Sequence, residues 1–202
     1  MDKPIGLILA GGLSRRMGGG DKALRLLKGE SILARIVRRV GPQVSTLLLN
    51  ANGPAKRFGL DLPVVPDSLP DTPGPLAGIL AGLDHVAASF PGARHLLTVP
   101  ADCPFLPADL ATRLGEAAEK AGAAYAASGG RTHPVVGLWP VAARDELHRL
   151  LADGERRVDR WTERVGAVAV EWPAAPFDPF FNVNTPDDLA EAERLIAAYP
   201  AL

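Results

Sequence analysis

The sequence predicts an α/β fold organised on a mainly parallel sheet. Three observations carry this. Short apolar runs alternate with helix-period segments through three strand-then-helix cycles in about the first 120 residues. The first apolar run ends in a glycine-rich loop, which in an open α/β sheet lies at the carboxyl edge where ligands bind. Hydrophobic residues make up 47% of the 202-residue chain, enough for a sizeable core.

Taken in order, residues 5–9 (Ile-Gly-Leu-Ile-Leu) read as a buried strand that ends in Ala10, Gly11 and Gly12. Ser31 can cap a helix that sets Ile32, Leu33, Ile36, Val37 and Val40 on one face, and Gly41–Pro42 stops it. A strand over 46–50 and a short extended piece at 64–65 follow. Residues 75–89 read as a helix with Leu76, Ile79, Leu80 and Leu83 inward. Residues 95–99 form a third buried strand closed by Pro100, and 107–121 form a helix with Pro107 near its first turn. The second half is less regular. Strands are expected at 123–127, 135–139 and 167–171, and a helix at 142–152. A last helix over 186–198 opens with Thr185 as cap and Pro186 at its first position. No repeat, low-complexity tract or linker interrupts the pattern, so residues 1–202 are expected to form a single domain.

Charge and cysteine content narrow the function classes. The 22 basic and 23 acidic residues give a net charge of −1, without the basic excess expected of a nucleic-acid binder. An anionic ligand must therefore be held by local charge. The lone Cys103 can form neither an internal disulfide nor a cysteine-based zinc cluster, which fits a reducing compartment. The amino-terminal residues are too short and too lightly charged for a signal peptide, and there is no apolar run of 18 residues to span a membrane. A cytoplasmic location is the expectation.

The strongest chemical signal is Leu9-Ala10-Gly11-Gly12-Leu13-Ser14-Arg15-Arg16-Met17-Gly18-Gly19-Gly20-Asp21-Lys22. Five glycines within ten residues remove side-chain bulk, so backbone N–H groups can approach phosphate oxygens. Arg15, Arg16 and Lys22 supply the positive charge that the whole chain lacks. The loop is not a P-loop, because Lys22 is followed by Ala23 and no hydroxyl is placed to hold Mg²⁺. It also lacks the Gly-x-Gly-x-x-Gly spacing of a dinucleotide fingerprint.

Other residues carry weaker signals. Asp102, just past the third strand, suits a Mg²⁺ ligand shared with phosphate oxygens, and equally a turn or helix cap before Pro104. Asn50 ends the second strand and Asp67 follows the short extended piece. Their amide and carboxylate can read a purine or ribose, or serve turn chemistry. Gly74-Pro75-Leu76-Ala77-Gly78 opens a helix whose free N–H groups can meet a phosphate, although an ordinary helix entry explains the composition as well. In the second half, Arg156, Asn182 and Asn184 offer positive charge and hydrogen-bonding amides, while His133 alone reads more readily as a structural histidine. Each also has a structural explanation as packed histidine, solvated face or helix start.

The glycine-loop pattern Leu-Ala-Gly-Gly-x-Ser-x-Arg-Met-Gly with a following Asp-Lys resembles the signature of the molybdopterin-type nucleotidyltransferases, the MobA family. They belong to a wider class of sugar-nucleotide pyrophosphorylases. Thr132-His133-Pro134, Gly154-Glu155-Arg156-Arg157-Val158 and Asn182-Val183-Asn184-Thr185-Pro186 resemble its guanylyltransferase branch, and the likeness runs from about residue 5 to 196. It implies a Rossmann-like three-layer sandwich with a mainly parallel mixed sheet, of the nucleotide-diphospho-sugar transferase type. It further implies a GTP-binding half at 1–121 and a molybdopterin-binding half at 122–202. The activity implied is transfer of GMP from GTP to Mo-molybdopterin, with release of pyrophosphate. Arg16, Lys22 and Asp102 are the implied catalytic residues, with Asp102 holding Mg²⁺. Leu9, Ala10, Gly11, Gly12, Lys22, Asn50, Asp67, Gly74, Pro75, Leu76, Gly78 and Asp102 are implied on the nucleotide. His133, Arg156, Asn182 and Asn184 are implied on the acceptor. The partners implied are the two substrates and, transiently, proteins that mature molybdoenzymes, with no nucleic acid and no membrane. A cytidylyltransferase acting on the same cofactor, a sugar-1-phosphate nucleotidyltransferase and a non-catalytic carrier are the rival readings.

Overall fold

Strand β1 (Ile5–Leu9) is buried along its whole length, and its side chains alternate between two cores. Ile5, Leu7 and Leu9 enter one hydrophobic cluster and Ile8 enters the other, as a strand packed on both faces requires. The fold comes from a computed structural model that describes residues 2–10, 22–69 and 74–200.

Downstream of β1, a small hairpin of β2 (Leu26–Leu27) and β3 (Glu30–Ser31) leads into α1 (Ile32–Val40). The Ser31 side chain accepts from the Ala34 N–H at 3.1 Å, a cap worth about 1 kcal/mol. Next come β4 (Thr46–Asn50), β5 (Val64–Val65), α2 (Pro75–Ser89), β6 (His95–Pro100) and α3 (Leu110–Ala121). The second half supplies β7 (Ala124–Ser128), β8 (Arg131–Pro140), α4 (Arg144–Ala152), α5 (Val158–Arg164), β9 (Val168–Trp172) and α6 (Pro186–Ala198). None of the helices among the described residues is long and apolar enough to cross a membrane.

The main sheet has seven strands in the order β5-β4-β1-β6-β8-β7-β9. The pairs β5–β4, β4–β1, β1–β6 and β7–β9 are parallel. Strand β8 is antiparallel to both β6 and β7 and so runs against the rest of this sheet. Helices α1, α3 and α6 contribute to the core on one face. Helices α2, α4 and α5 contribute to the core on the other, where Trp139 and Trp161 are fully buried. The result is a three-layer α/β/α sandwich, the architecture expected.

Several boundaries differ from the sequence expectation for identifiable reasons. Helix α3 starts at Leu110 and not at 107, because Asp109 has a non-helical backbone (φ −100°, ψ 10°) and spends its carboxylate on the Trp172 indole N–H at 3.0 Å. Strand β8 extends back to Arg131. Gly129 and Gly130 both have positive φ (54° and 74°), which lets the chain reverse in two residues between Ser128 and Arg131. Helix α5 occupies the stretch after the expected basic turn; it anchors through Trp161 and is too short for its apolar period to be visible in sequence.

Candidate functional site

Parallel strands end on the same side of a sheet, and the chain uses that side. Strands β1, β4, β5 and β6 deliver Leu9, Asn50, Val65 and Pro100 there, followed by Ala10, Asp67 and Asp102. Because β8 runs the other way, its first residues, Arg131 to His133, arrive at the same edge. A cleft of about 1150 Å³ lies along it. That is at the upper end of the usual ligand-pocket range of about 300–1,000 Å³. Its lining includes Leu9, Ala10, Lys22, Asn50, Asp67, Gly74, Pro75, Asp102, His133, Asn182 and Asn184.

On one side of the cleft, two amides clamp a carboxylate. Asn50 is buried and donates from Nδ2 to the Val65 carbonyl at 3.1 Å and to Asp67 Oδ1 at 2.9 Å. Asn52 donates to Asp67 Oδ2 at 2.8 Å, and its own Oδ1 accepts the Asp67 N–H at 3.1 Å. The carboxylate is thus fixed at both oxygens while keeping lone pairs toward the cleft. Gly78 explains how the amide fits. A Cβ on Gly78 would fall 2.4 Å from Asn50 Oδ1 and 2.8 Å from Leu9 Cδ2, so only glycine lets α2 pack this close. Gly78 and Leu76 are buried in the α2 layer, beneath the lining and not part of it. Gly74 and Pro75 reach the cleft; Gly74 has φ 117°, a conformation that favours glycine, and caps α2.

The centre of the cleft holds a cation and a carboxylate. Lys22 Nζ donates to Asn184 Oδ1 at 2.5 Å and lies 3.9 Å from Asp102 Oδ2. Asn182 Nδ2 approaches Asp102 Oδ1 at 3.4 Å. Burial pushes the Asp102 carboxyl above the ordinary carboxylate range, and Lys22 and local hydrogen bonds only partly oppose it. The segment carrying the two asparagines is tied down by the Val183 N–H, which donates to the Asp102 carbonyl at 2.9 Å. A capping box at the start of α6 completes the support: Asp188 accepts from the Asn184 and Thr185 N–H groups at 2.9 and 2.8 Å. Residues 162 positions apart in sequence therefore meet at Lys22 and Asn184.

The far side is built by the β7–β8 hairpin and residues 178–182. His133 is half-buried, stacks in a tilted arrangement on Phe180 (centroids 4.9 Å apart), and bonds through Nε2 to Ser128 Oγ at 2.8 Å. Ser128 in turn donates to Asp178 Oδ1 at 2.7 Å. A register shift between Tyr125 and Ala126 lets the residues after His133 bulge out of the ladder. The Val135 carbonyl in that bulge is satisfied by the Thr98 hydroxyl at 2.8 Å. Cys103 is fully buried, and burial together with Asp102 and Asp178 drives its thiol well above the ordinary range.

Most of the residues singled out in the sequence meet in this one cleft. Among the described residues the exceptions are Leu76 and Gly78, buried beneath the lining, and Arg156. Arg156 is exposed, outside the lining, and its Nη1 donates to the Leu151 and Glu155 carbonyls at 2.9 and 2.8 Å. Gly11, Gly12 and Arg16 lie outside the described residues. Sequence reasoning missed Asn52, Ser128 and Asp178. Asn52 stands two residues beyond Asn50, a spacing that carries side chains to one side of an extended chain. Nothing in the sequence points to Ser128 or Asp178.

Comparison with known proteins gives this arrangement a family. The chain is 57% identical over 193 residues to a molybdenum cofactor guanylyltransferase of Rhodopseudomonas palustris (strain BisB5), covering 94% of this chain and 92% of that protein. It is 56% identical over 196 residues to a protein of the same description from Bradyrhizobium sp. (strain ORS 278), covering 95% and 92%. Among solved structures, molybdopterin-guanine dinucleotide biosynthesis protein A from Archaeoglobus fulgidus superposes with a TM-score of 0.75 at 27% identity, covering 96% of this chain and 99% of that one. Residues 6–168 match the MobA-like NTP transferase domain, and the chain belongs to that family.

Proposed function

We propose that this chain transfers the GMP unit of GTP to Mo-molybdopterin, forming a guanine dinucleotide cofactor and releasing pyrophosphate. The observation that carries this is the convergence on one cleft of the clamped Asp67, the Lys22–Asp102 pair and the His133–Asn182 side. Family membership and the names of the relatives support it. The strand-end half, 1–121, would bind GTP, and 122–202 would bind the acceptor.

In this reaction the phosphate oxygen of the acceptor attacks the α-phosphorus of GTP, and the bond to the β-phosphate breaks. The attacking group is already ionised, so no protein nucleophile or general base is needed. Catalysis rests on positioning and charge neutralisation. Lys22, held by Asn184, would neutralise phosphate charge, with Arg16 and the backbone of Gly11 and Gly12 assisting. Asp67 would accept donors from the base or ribose, while Leu9, Ala10, Gly74 and Pro75 shape the wall. Asn182 and Asn184 would contact the acceptor, and Arg156 would meet its phosphate at the rim.

The donor set fits Mg²⁺. Asp102 is a desolvated carboxylate whose lysine is 3.9 Å away, so a cation would compensate it. Among the described residues no cluster of three metal-ligating side chains exists. The ion would take its other ligands from phosphates and water, as Mg²⁺ commonly does. Bound there, it would neutralise charge on the departing pyrophosphate. A cytoplasmic setting accords with the single buried thiol, and hand-over of the product to maturation proteins follows from the same reading.

The test is incubation with molybdopterin, GTP and CTP in the presence of Mg²⁺, with product identified by mass. A guanine dinucleotide is expected. A cytosine product, activity only with a hexose phosphate, or GTP binding without pyrophosphate release would each replace the proposal with a rival.

A further inference from the structure

The Ser128–His133–Asp178 chain has a direction that fixes a tautomer. An ionised carboxylate only accepts hydrogen bonds, so at Asp178 Oδ1 the Ser128 hydroxyl must be the donor (2.7 Å). Its proton is then committed, and toward His133 the same oxygen can only accept. The 2.8 Å contact between Ser128 Oγ and His133 Nε2 therefore needs the proton on Nε2. Asp178 is itself fixed, since its Oδ1 also accepts the Phe180 N–H at 2.9 Å. Ser128 is fully buried, so no water competes for its hydroxyl. Among the described residues Nδ1 of His133 has no hydrogen-bond partner, and it is not among the buried unsatisfied atoms. The half-buried ring lines the cleft.

We propose that Ser128 and Asp178 are positioning residues that hold His133 as its Nε2–H tautomer, so that Nδ1 offers a lone pair to an N–H donor on the heterocycle edge of the acceptor. The assignment of that donor rests on the acceptor reading given above; the tautomer lock does not. Desolvation lowers the His133 pKa, Asp178 opposes this, Arg131 adds to it and Glu171 opposes it, which keeps the ring neutral and Nδ1 unprotonated at neutral pH.

Two experiments on the full chain test the proposal. In the first, imidazole nitrogen NMR shifts are recorded without any substrate, with the His133 signal assigned by its loss in His133→Gln. A protonated Nε2 and an unprotonated Nδ1 are expected, moving toward an averaged tautomer mixture in Ser128→Ala. An Nδ1–H ring, or an average that Ser128→Ala leaves unchanged, overturns the lock.

The second compares two substitutions in the transfer reaction. The Gln amide reaches the Nε2 position and keeps the Ser128 bond. The Asn amide reaches the Nδ1 position and keeps the acceptor. His133→Gln is expected to raise KM for molybdopterin roughly tenfold, and His133→Asn, which keeps the acceptor atom but loses the Ser128 bond, by a clearly smaller factor, with KM for GTP unchanged in both. A merely structural histidine would give the reverse order, and that result overturns the role of Nδ1. If no transfer occurs in wild type, the functional reading fails while the NMR result still decides the lock.

Discussion

The two sides of the cleft are made by different means. The proposed nucleotide side is assembled from strand ends and a helix start, with a side-chain cluster, Asn50–Asn52–Asp67, closed over 15 to 17 residues. The proposed acceptor side is assembled from side chains that bond across 50 residues between Ser128 and Asp178 and 80 between Asp102 and Asn182. The first kind of site is a consequence of sheet topology and survives wherever the parallel strands form. The second depends on the carboxy-terminal segment folding back over the sheet edge, which the Val183–Asp102 backbone bond and the α6 capping box secure.

The centre, where both sides meet, should be the most sensitive point. Replacing Asp102 with Asn removes the charge while keeping the shape, and pyrophosphate release with acceptor present is expected to fall about 10³-fold in kcat. Because burial strains the charged form of Asp102, the fold should not suffer, and circular dichroism should be unchanged. Lys22→Met should cost about 10²-fold, since it removes one phosphate-facing charge and leaves Asn184 without its donor. An equal loss in both variants would mean that the ion pair acts as a unit and that the division into sides is too simple.

Much of this was legible in sequence, and the reason is physical. Strand ends are local features, so Asn50, Asp67 and Asp102 could be placed at one edge from apolar runs and their punctuation. The Thr185–Pro186 helix start was equally local. Ser128 and Asp178 were invisible because neither sits in a periodic pattern, and a hydrogen bond across 50 residues leaves no trace in spacing. The early start of β8 was missed although Gly129–Gly130 is a local signal, because the residues that follow, Arg131 to His133, are polar and did not read as strand. Leu76 and Gly78, implied on the nucleotide by family likeness, lie beneath the lining; Gly78 acts there through the Asn50 it makes room for.

That indirect action sharpens the comparison. Gly78→Ala puts a methyl 2.4 Å from Asn50 Oδ1, so the amide must move and Asp67 loses a clamp. A stability loss of about 2 kcal/mol in urea unfolding is expected. Affinity for GTP should weaken about tenfold, as one well-placed polar contact is lost. Gly82→Ala is the control. Its methyl would meet Leu7 Cδ2 at 2.4 Å and Leu96 Cδ2 at 2.9 Å, inside the same core and away from the cleft. It should lower stability similarly and leave GTP affinity alone.

On the acceptor side, acidity is the smaller lever. As pH falls below the ordinary imidazole value of 6.5, His133 gains a proton on Nδ1 and turns from acceptor to donor. Since its pKa is lowered, KM for molybdopterin should stay flat through 6.5 and rise several-fold only below it. Asp178, Arg131 and Glu171 are the charged groups that set the midpoint. The phosphate of the acceptor titrates near pH ~6 as well. The His133→Asn variant, whose amide does not titrate, therefore supplies the baseline profile.

The smallest effect is expected at Arg156. Its guanidinium is exposed and spends Nη1 on two carbonyls of its own turn, and Glu155 Oε1 accepts the Arg156 and Arg157 N–H groups at 2.8 and 2.9 Å. The turn is thus held by its own bonds, in which Nε and Nη2 take no part among the described residues. An exposed charge acting across solvent is screened, so Arg156→Ala should raise KM for molybdopterin only about threefold at low ionic strength. The difference should fade as salt is added. A loss of more than about thirtyfold that salt does not reduce would mean a desolvated, direct guanidinium–phosphate contact. The loop between α4 and α5 would then have to close over the cleft, and the acceptor side would owe its affinity to a moving segment more than to the His133 wall.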